Sequence, residues 1–242
     1  MDKLIFTAAS GAERLMRAQQ VHANNLANLD TSGYRATMET SGNTELGGFG
    51  YDDRHMATIQ ADTISTRAGS VRETGRPLDV AIGGQGYLAV QYDGGEAYTR
   101  SGEIEIGADG ALSVHGRALL GEGGPIVLPP HTAVEVGTDG TISVLTEGAT
   151  LMQVVDKLRL VNAEGAQLTK NQAGLLVSRD GAALAPDPAV TVRPRALEGS
   201  NVSAVEEMVA TMSLNRSFEI QMKLFQASDK MNEAGNRLIS GA

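Results

Sequence analysis

Proline first occurs at Pro77 and last at Pro194, so both ends of this 242-residue chain are free of it. In residues 1–35 and 203–242, apolar side chains recur at helical spacing, whereas everything between reads as short strands and glycine turns. A chain that reserves its only long helices for its two ends is built to pair those ends. The pairing is either within one molecule or among many.

The spacing predicts a first helix over residues 3–29. Leu4, Ala8, Gly11, Leu15, Ala18, His22, Asn25 and Leu29 alternate at intervals of four and three, the seam of a coiled coil. Most of that seam is small or polar, so it would bind a partner closely but weakly. Ile5, Ala12, Met16 and Ala23 widen the apolar arc beside it. The helix is expected to stop near Asp30-Thr31-Ser32-Gly33, where glycine can take a left-handed cap. Asn24, Asn25 and Asn28 disfavour helix, and three amides so close together need a reason. One reading is a solvated last turn. The other, preferred here, is that they set register in an assembly.

A second helix is expected from about Asn201–Ser203 to Ile239, opened by a capping box between Ser203 and Glu206. It carries two apolar stripes. Ile220, Leu224, Ala227, Met231, Ala234 and Leu238 make one; Leu214, Phe218, Met222 and Phe225 make another, on the opposite side of the helix. A helix on the surface of a monomer needs one apolar face. Four large apolar residues left in water would forfeit roughly 6–12 kcal/mol of burial, which rivals the whole stability of a domain. Either the two stripes pack on the β domain and on the first helix, or the core closes only in a multi-subunit assembly.

From Pro77 to about Val192 the period changes to two. Leu78, Val80 and Ile82 alternate with Asp79 and Ala81; Tyr87–Tyr92, 150–161 and 174–178 read as strands. Asp-Gly pairs at 93–94, 109–110, 139–140 and 180–181 signal hairpins. Residues 104–114 and 134–144 form a short repeat, identical at six of eleven positions, with apolar residues at its first, third, ninth and eleventh places. Two copies are too few for a solenoid and mark one turn solution used twice. The fold class expected is α+β: a coiled-coil-like pair of terminal helices with a central, mainly antiparallel β domain. The divisions are 1–35 and 200–242 for the helical part, 36–76 for an extended linker with Gly47–Gly50 at its most flexible, and 77–199 for the β domain.

Composition narrows the function. A net charge of −9 lacks the clustered Lys and Arg that nucleic acid requires. Absence of cysteine removes disulfides, a thiolate nucleophile and Cys-based metal sites. With 29 glycines, no Trp and 4% aromatics, the chain suits a turn-rich β protein better than an aromatic-lined pocket. The opening Met1–Thr7 carries an acid where a Sec signal needs bases, and Glu13, Arg14 and Arg17 interrupt any apolar run. No stretch approaches the ~20 apolar residues of a membrane span. The expectation is a protein neither Sec-exported nor membrane-embedded.

Candidate chemistry is sparse. Gly83–Gly86 precedes a strand rather than a helix, so it reads as a tight turn and not an anion cradle. His22, His55, His115 and His131 are scattered; His22, in the seam, reads as a packing or hydrogen-bonding residue. Ser101 lacks the preceding glycine of a nucleophile elbow, and Asp109 and Asp139 lack the oxygen ladder of a calcium loop. No catalytic, cofactor or metal residue is expected, and the chain does not read as an enzyme.

Three ordered motifs carry a resemblance. Ala23–Asn28 with Thr31–Arg35, Thr74–Ile82, and a C-terminal set comprising Ser200–Val202, Glu207–Met208, Asn215–Glu219 and Gln226–Asn232 are similar to the signatures of the bacterial flagellar rod and hook proteins. Tyr34 and Asn215 stand where many relatives have Phe and Gln, which keeps aromatic and amide character. Chain length, Ala97–Arg100 and Glu122–Ile126 look most like the proximal rod branch, with the distal rod the nearest competitor. The resemblance implies a structural part of the axial shaft, in the periplasmic rod of the basal body. Its partners would be copies of itself, other flagellar axial proteins and the flagellar type III export apparatus, without a cleaved signal peptide. It also implies that terminal helices of neighbouring subunits pack together and transmit torque. The interface residues expected are Leu4, Leu15, His22, Asn24, Asn25, Leu26, Asn28 and Leu29 on the first helix, and Leu214, Phe218, Met222, Leu224, Phe225, Met231 and Leu238 on the second. A competing reading from another class is a secreted β-domain binding module that dimerises through its helices.

Overall fold

The computed structural model describes residues 2–45, 55–171 and 173–240. Gly47–Gly50 fall outside these, as do the side chains of Leu4, His55 and Leu238. The chain divides into two compact units: one of residues 1–27, 37–62 and 203–242, the other of residues 28–36 and 63–202.

The first unit is built on two helices, α1 (Asp2–Ala27) and α2 (Ala204–Ser240). Both occur where apolar periodicity and the absence of proline place them. At the start of α2, Ser203 Oγ accepts from the backbone N–H of Glu206 at 3.4 Å, which supplies the Ser half of the expected capping box. A two-stranded sheet of Thr37–Glu45 and His55–Ile64 accompanies them. The sequence reading assigned those residues to an extended linker. They carry little apolar alternation, yet threonines at 37, 40, 44, 58 and 63 favour extended backbone, and main-chain pairing needs no apolar face.

The second unit is mostly antiparallel β. Its largest sheet orders the strands Leu160–Val161, Tyr87–Tyr92, Gly95–Thr99, Leu176–Ser178 and Leu168–Lys170. Two three-stranded sheets hold the repeat: Ile104–Ile106, Leu112–Val114 and Arg117–Ala118 in one, Ala133–Val136, Thr141–Leu145 and Gln153–Lys157 in the other. Val80, Leu88, Ile104, Leu112, Leu119, Ile142 and Leu158 are among the side chains that fill one core.

Turn chemistry explains the hairpins. Asp93 and Gly94 both take positive φ, +47° and +75°, and join Tyr92 to Gly95 as a two-residue turn. The repeat is structural as well as sequential. Gly107 N–H donates to Ala111 O at 2.8 Å and Gly137 N–H to Thr141 O at 2.7 Å. The carbonyls of Gly110 and Gly140 then accept from Leu128 and Leu158 at 2.8 and 2.9 Å, so the equivalence runs beyond the eleven matched positions. Of the expected apolar face, Ile106 is exposed, while Ile104, Leu112, Val114, Val136, Ile142 and Val144 are buried. Asp180-Gly181 forms a turn but no hairpin: its flanking strand Leu176–Ser178 pairs back with Leu168–Lys170 and the chain leaves irregularly.

The α+β class with terminal helices therefore holds. The coiled-coil-like pairing holds only in part, because α1, at 26 residues, is shorter than α2 at 37.

Candidate assembly interface

Within the first unit, α1 and α2 run antiparallel. Gly11 lies against Gln221, Gln19 Nε2 donates to Asn215 Oδ1 at 3.1 Å, and His22 Nδ1 bonds to Glu207 Oε2. A Cβ built on Gly11 would stand 2.9 Å from Gln221 Nε2, so the glutamine occupies the space that the missing side chain leaves. Asn25 is 2% exposed. Its Oδ1 accepts from Thr37 N at 3.0 Å, and its Nδ2 donates to Thr37 O at 3.0 Å and to Glu207 Oε1 at 3.2 Å. One amide thus satisfies both main-chain groups of Thr37 and one carboxylate oxygen on α2. That employs both amide hydrogens and the carbonyl oxygen of the Asn side chain.

The expected interface residues separate into three groups. Leu15, Leu214, Phe218 and Phe225 are half-buried, beside the buried Asn25 and the half-buried His22. Asn24, Leu26, Met222, Leu224 and Met231 are exposed. Asn28 and Leu29 belong to the second unit, where Asn28 Oδ1 accepts from Thr31 Oγ1 at 3.1 Å. His22 lies in the expected seam as a hydrogen-bonding residue, whereas its partner Glu207 and the pair Gln19–Asn215 are not among the expected interface residues, because amides and acids at helical spacing read first as a solvated face.

The stripe of α2 that includes Leu214, Phe218 and Phe225 shares a face with Glu207 and Gln221, the residues that meet α1. The opposite face stays open. Val205, Met208, Val209 and Met212 are exposed at its start, and Ile220, Leu224 and Met231 farther along. At about 100° per residue, these make a stripe longer than the sequence reading proposed.

In the second unit, the segments that follow α1 and precede α2 in the chain are tied by a buried charge cluster. Glu198 is 1% exposed. Its Oε1 accepts from Arg35 Nη2 at 2.8 Å and from Gly69 N at 2.8 Å, and its Oε2 from Arg100 Nε at 2.7 Å. Burial first, and then the neighbouring Arg100, lower the Arg35 pKa, against the pull of Glu198. Burial raises the pKa of the adjacent Tyr87 hydroxyl. Gly33 N donates to Glu198 O at 2.7 Å and Ser32 Oγ to the same oxygen at 3.1 Å.

Asn201 extends the tie: its Oδ1 accepts from Ala36 N at 2.7 Å, and its Nδ2 donates to Arg67 O at 2.8 Å. Lys170 Nζ lies 3.6 Å from the Tyr34 ring centroid and donates to Arg35 O at 2.6 Å; burial pushes its pKa down to about 8.

The Gly83–Gly86 loop belongs to this cluster. Arg100 donates to Gly86 O at 2.9 Å, Gly84 O at 2.9 Å and Ile82 O at 3.1 Å. The loop turns carbonyls, not N–H groups, toward its occupant, which is a cation belonging to the chain itself. Among the described residues no three His, Cys, Asp or Glu side chains gather to hold a metal, and no helix is long and apolar enough to cross a membrane. Ser101 Oγ and His115 Nε2 lie 2.9 Å apart, with no third group orienting the imidazole among the described contacts.

Comparison with known proteins places these features. Residues 5–35 match the profile of the flagella basal body rod protein, residues 81–144 the flagellar hook protein FlgE/F/G D1 domain, and residues 193–238 the flagellar basal body rod FlgEFG protein C-terminal domain. The flagellar basal-body rod protein FlgF of Salmonella typhimurium is 37% identical over 249 residues, covering 99% of each chain, and that of Escherichia coli is 36% identical with the same coverage. The flagellar basal-body rod protein FlgG of Caulobacter vibrioides is 27% identical, covering 97% of this chain and 98% of its own. The matched segments contain Gln19, His22, Glu207 and Asn215 of the cross-helix contacts and Arg35, Arg100 and Glu198 of the buried cluster, and the chain belongs to the flagellar basal-body rod protein family, on its FlgF-like side.

Proposed function

We propose that this chain is a structural subunit of the proximal flagellar rod, assembling helically through its terminal helices into the shaft that carries motor torque. The observation that carries the reading is the open apolar face of α2. Val205, Met208, Val209, Met212, Ile220, Leu224 and Met231 are exposed in the single chain. Each is already partly buried, so full burial gains roughly half of the ~1.5–3 kcal/mol of a wholly exposed side chain, and seven together still give a neighbouring subunit much to stabilise it.

On this reading residues 1–35 and 200–242 form a coiled-coil-like pair completed by neighbours. Residues 77–199 form the β domain, and 36–76, with the sheet of Thr37–Glu45 and His55–Ile64, lie between them in the chain. The candidate interface joins the seam of α1 to both faces of α2. The partners are other axial subunits of the rod, reached by type III export into the periplasm without a cleaved leader. The proximal assignment is supported by the 37% and 36% identity to two proteins named FlgF, against 27% and 28% to two named FlgG.

The test is Val209→Asp in the full chain, scored for rod assembly and motility in cells lacking the native protein. The variant is expected to melt as the parent does and to fail to build a rod. A normal rod made from Val209→Asp subunits would defeat the proposal.

A further inference from the structure

All four methionines of α2 are exposed: Met208 at 49%, Met212 at 69%, Met222 at 41% and Met231 at 61%. Met208 and Met212 lie one turn apart and share a continuous strip with Val205 and Val209, both also exposed. Met212 is the most exposed methionine among the described residues. The chain has no cysteine, so these thioethers are its most readily oxidised sulfur atoms. A Met side chain suits such a strip because it is flexible and polarizable and adapts to an uneven partner. The same sulfur makes the strip chemically vulnerable while it faces water.

We propose that Met208 and Met212 form an oxidation site, through which an oxidant of the peroxide class decides whether α2 can bury its outer face. The step is an oxygen transfer. A sulfur lone pair attacks the distal peroxide oxygen, the O–O bond breaks and an S–O bond forms. The remaining oxygen takes up the proton and leaves as water. Sulfur loses two electrons and the peroxide gains them, giving one sulfoxide and one water per turnover. The product is polar and a strong acceptor, so burying it without a donor is unfavourable. In the single chain the modified side chains stay in water and the fold is untouched. In the assembly they would sit within an apolar contact. The inference rests on the assembly reading above, because only burial of this face gives the sulfoxide a consequence.

The location also makes the modification conditional. A free subunit presents both sulfur atoms to peroxide, whereas a subunit whose α2 face is covered shields them. Oxidation would therefore remove unassembled subunits from use and spare the finished structure. Met16, Met38 and Met152 are exposed elsewhere in the chain and serve as internal controls.

The test treats the full-length chain with hydrogen peroxide, maps sulfoxides by peptide mass spectrometry, and measures co-sedimentation with the other purified axial proteins. Sulfoxide at Met212 and Met208 is expected to rise in step with loss of co-sedimentation. The concentration needed for assembly should increase about tenfold or more. Treatment with methionine sulfoxide reductase should restore it. The triple variant Met208→Leu, Met212→Leu, Met231→Leu, which removes every thioether of the open face, should keep co-sedimenting after the same peroxide, although Met16, Met38 and Met152 are oxidised. The proposal is overturned if that variant loses assembly as the parent does, or if parent protein oxidised at both positions still assembles. Met212→Asp separates the two claims. If it assembles normally, the assembly reading has failed; if it does not while oxidised parent protein does, the oxidation proposal alone has failed.

Discussion

Arg100 Nε and Glu198 Oε2 lie 2.7 Å apart, with both side chains almost wholly removed from water. Arg35 Nη2 holds the other carboxylate oxygen, so one acid pairs with two bases drawn from distant parts of the chain. Replacing Glu198 with Gln leaves two buried guanidinium groups short of a counter-charge. Breaking a buried pair in this way costs about 3–5 kcal/mol. Denaturant unfolding of Glu198→Gln should show that loss, and a loss below about 1 kcal/mol would contradict the expectation.

Gly33 takes φ +67°, and a Cβ built on it would stand 2.1 Å from the backbone nitrogen of Ser101 and 2.2 Å from the carbonyl carbon of Arg100. Both obstacles are main chain and cannot swing aside. Gly33→Ala should therefore destabilise the protein by about 2 kcal/mol or more, beyond the penalty for a left-handed alanine alone. A melting temperature equal to the parent's would contradict this.

Lys170 predicts a pH effect of definite sign. Its pKa falls from 10.5 to about 8 on folding because burial disfavours the ammonium, so between pH 8 and 10.5 the unfolded chain holds a proton that the folded one has released. Stability from this group must rise with pH through that window, on the order of 2 kcal/mol after allowing for its partial exposure. The Tyr34 ring and the Arg35 carbonyl favour the charged form and temper the effect. Comparing Lys170→Met with the parent from pH 7.5 to 10.5 isolates the contribution of this lysine. Parallel stability curves would refute it.

Asn25→Ala removes the partner of Thr37 N, of Thr37 O and of Glu207 Oε1 together. The orphaned groups should cost roughly 1–3 kcal/mol in the helical unit. Hydrogen exchange read at Thr37 is the sensitive measure: its amide should lose protection while that of Ile142, deep in the β unit, keeps it.

The terminal helices were legible because apolar spacing and the absence of proline are local signals. Tyr87–Tyr92 and the Asp93-Gly94 turn were legible for the same reason: alternation and φ-permissive residues sit within a few positions of one another. The sheet of Thr37–Glu45 and His55–Ile64 was not, since its stability lies in main-chain pairing that leaves no apolar pattern. The buried cluster was also hidden. Arg35, Arg100 and Glu198 are separated by 98 residues or more wherever Glu198 pairs, and a lone charge in a strand normally marks a solvated face. The clue lay in the motifs: Gly33 and Arg35 of one both bond to Glu198, and Tyr34 O of the same motif accepts from the backbone N–H of Asn201 in another. On α2 two opposed stripes are legible, but which of them meets α1 is not, because both are apolar and the cross-helix partners Gln19–Asn215, His22–Glu207 and Asn25–Glu207 lie far apart in the sequence.

The unequal lengths of the two helices have a consequence for load. A 26-residue helix laid along one of 37 leaves its longer partner overhanging, as the tongue of a lap joint projects past its mate. In a shaft built from such pieces, seams in successive subunits would be staggered, so no single cross-section would cut through joints alone. Twisting strain would meet continuous backbone at every level.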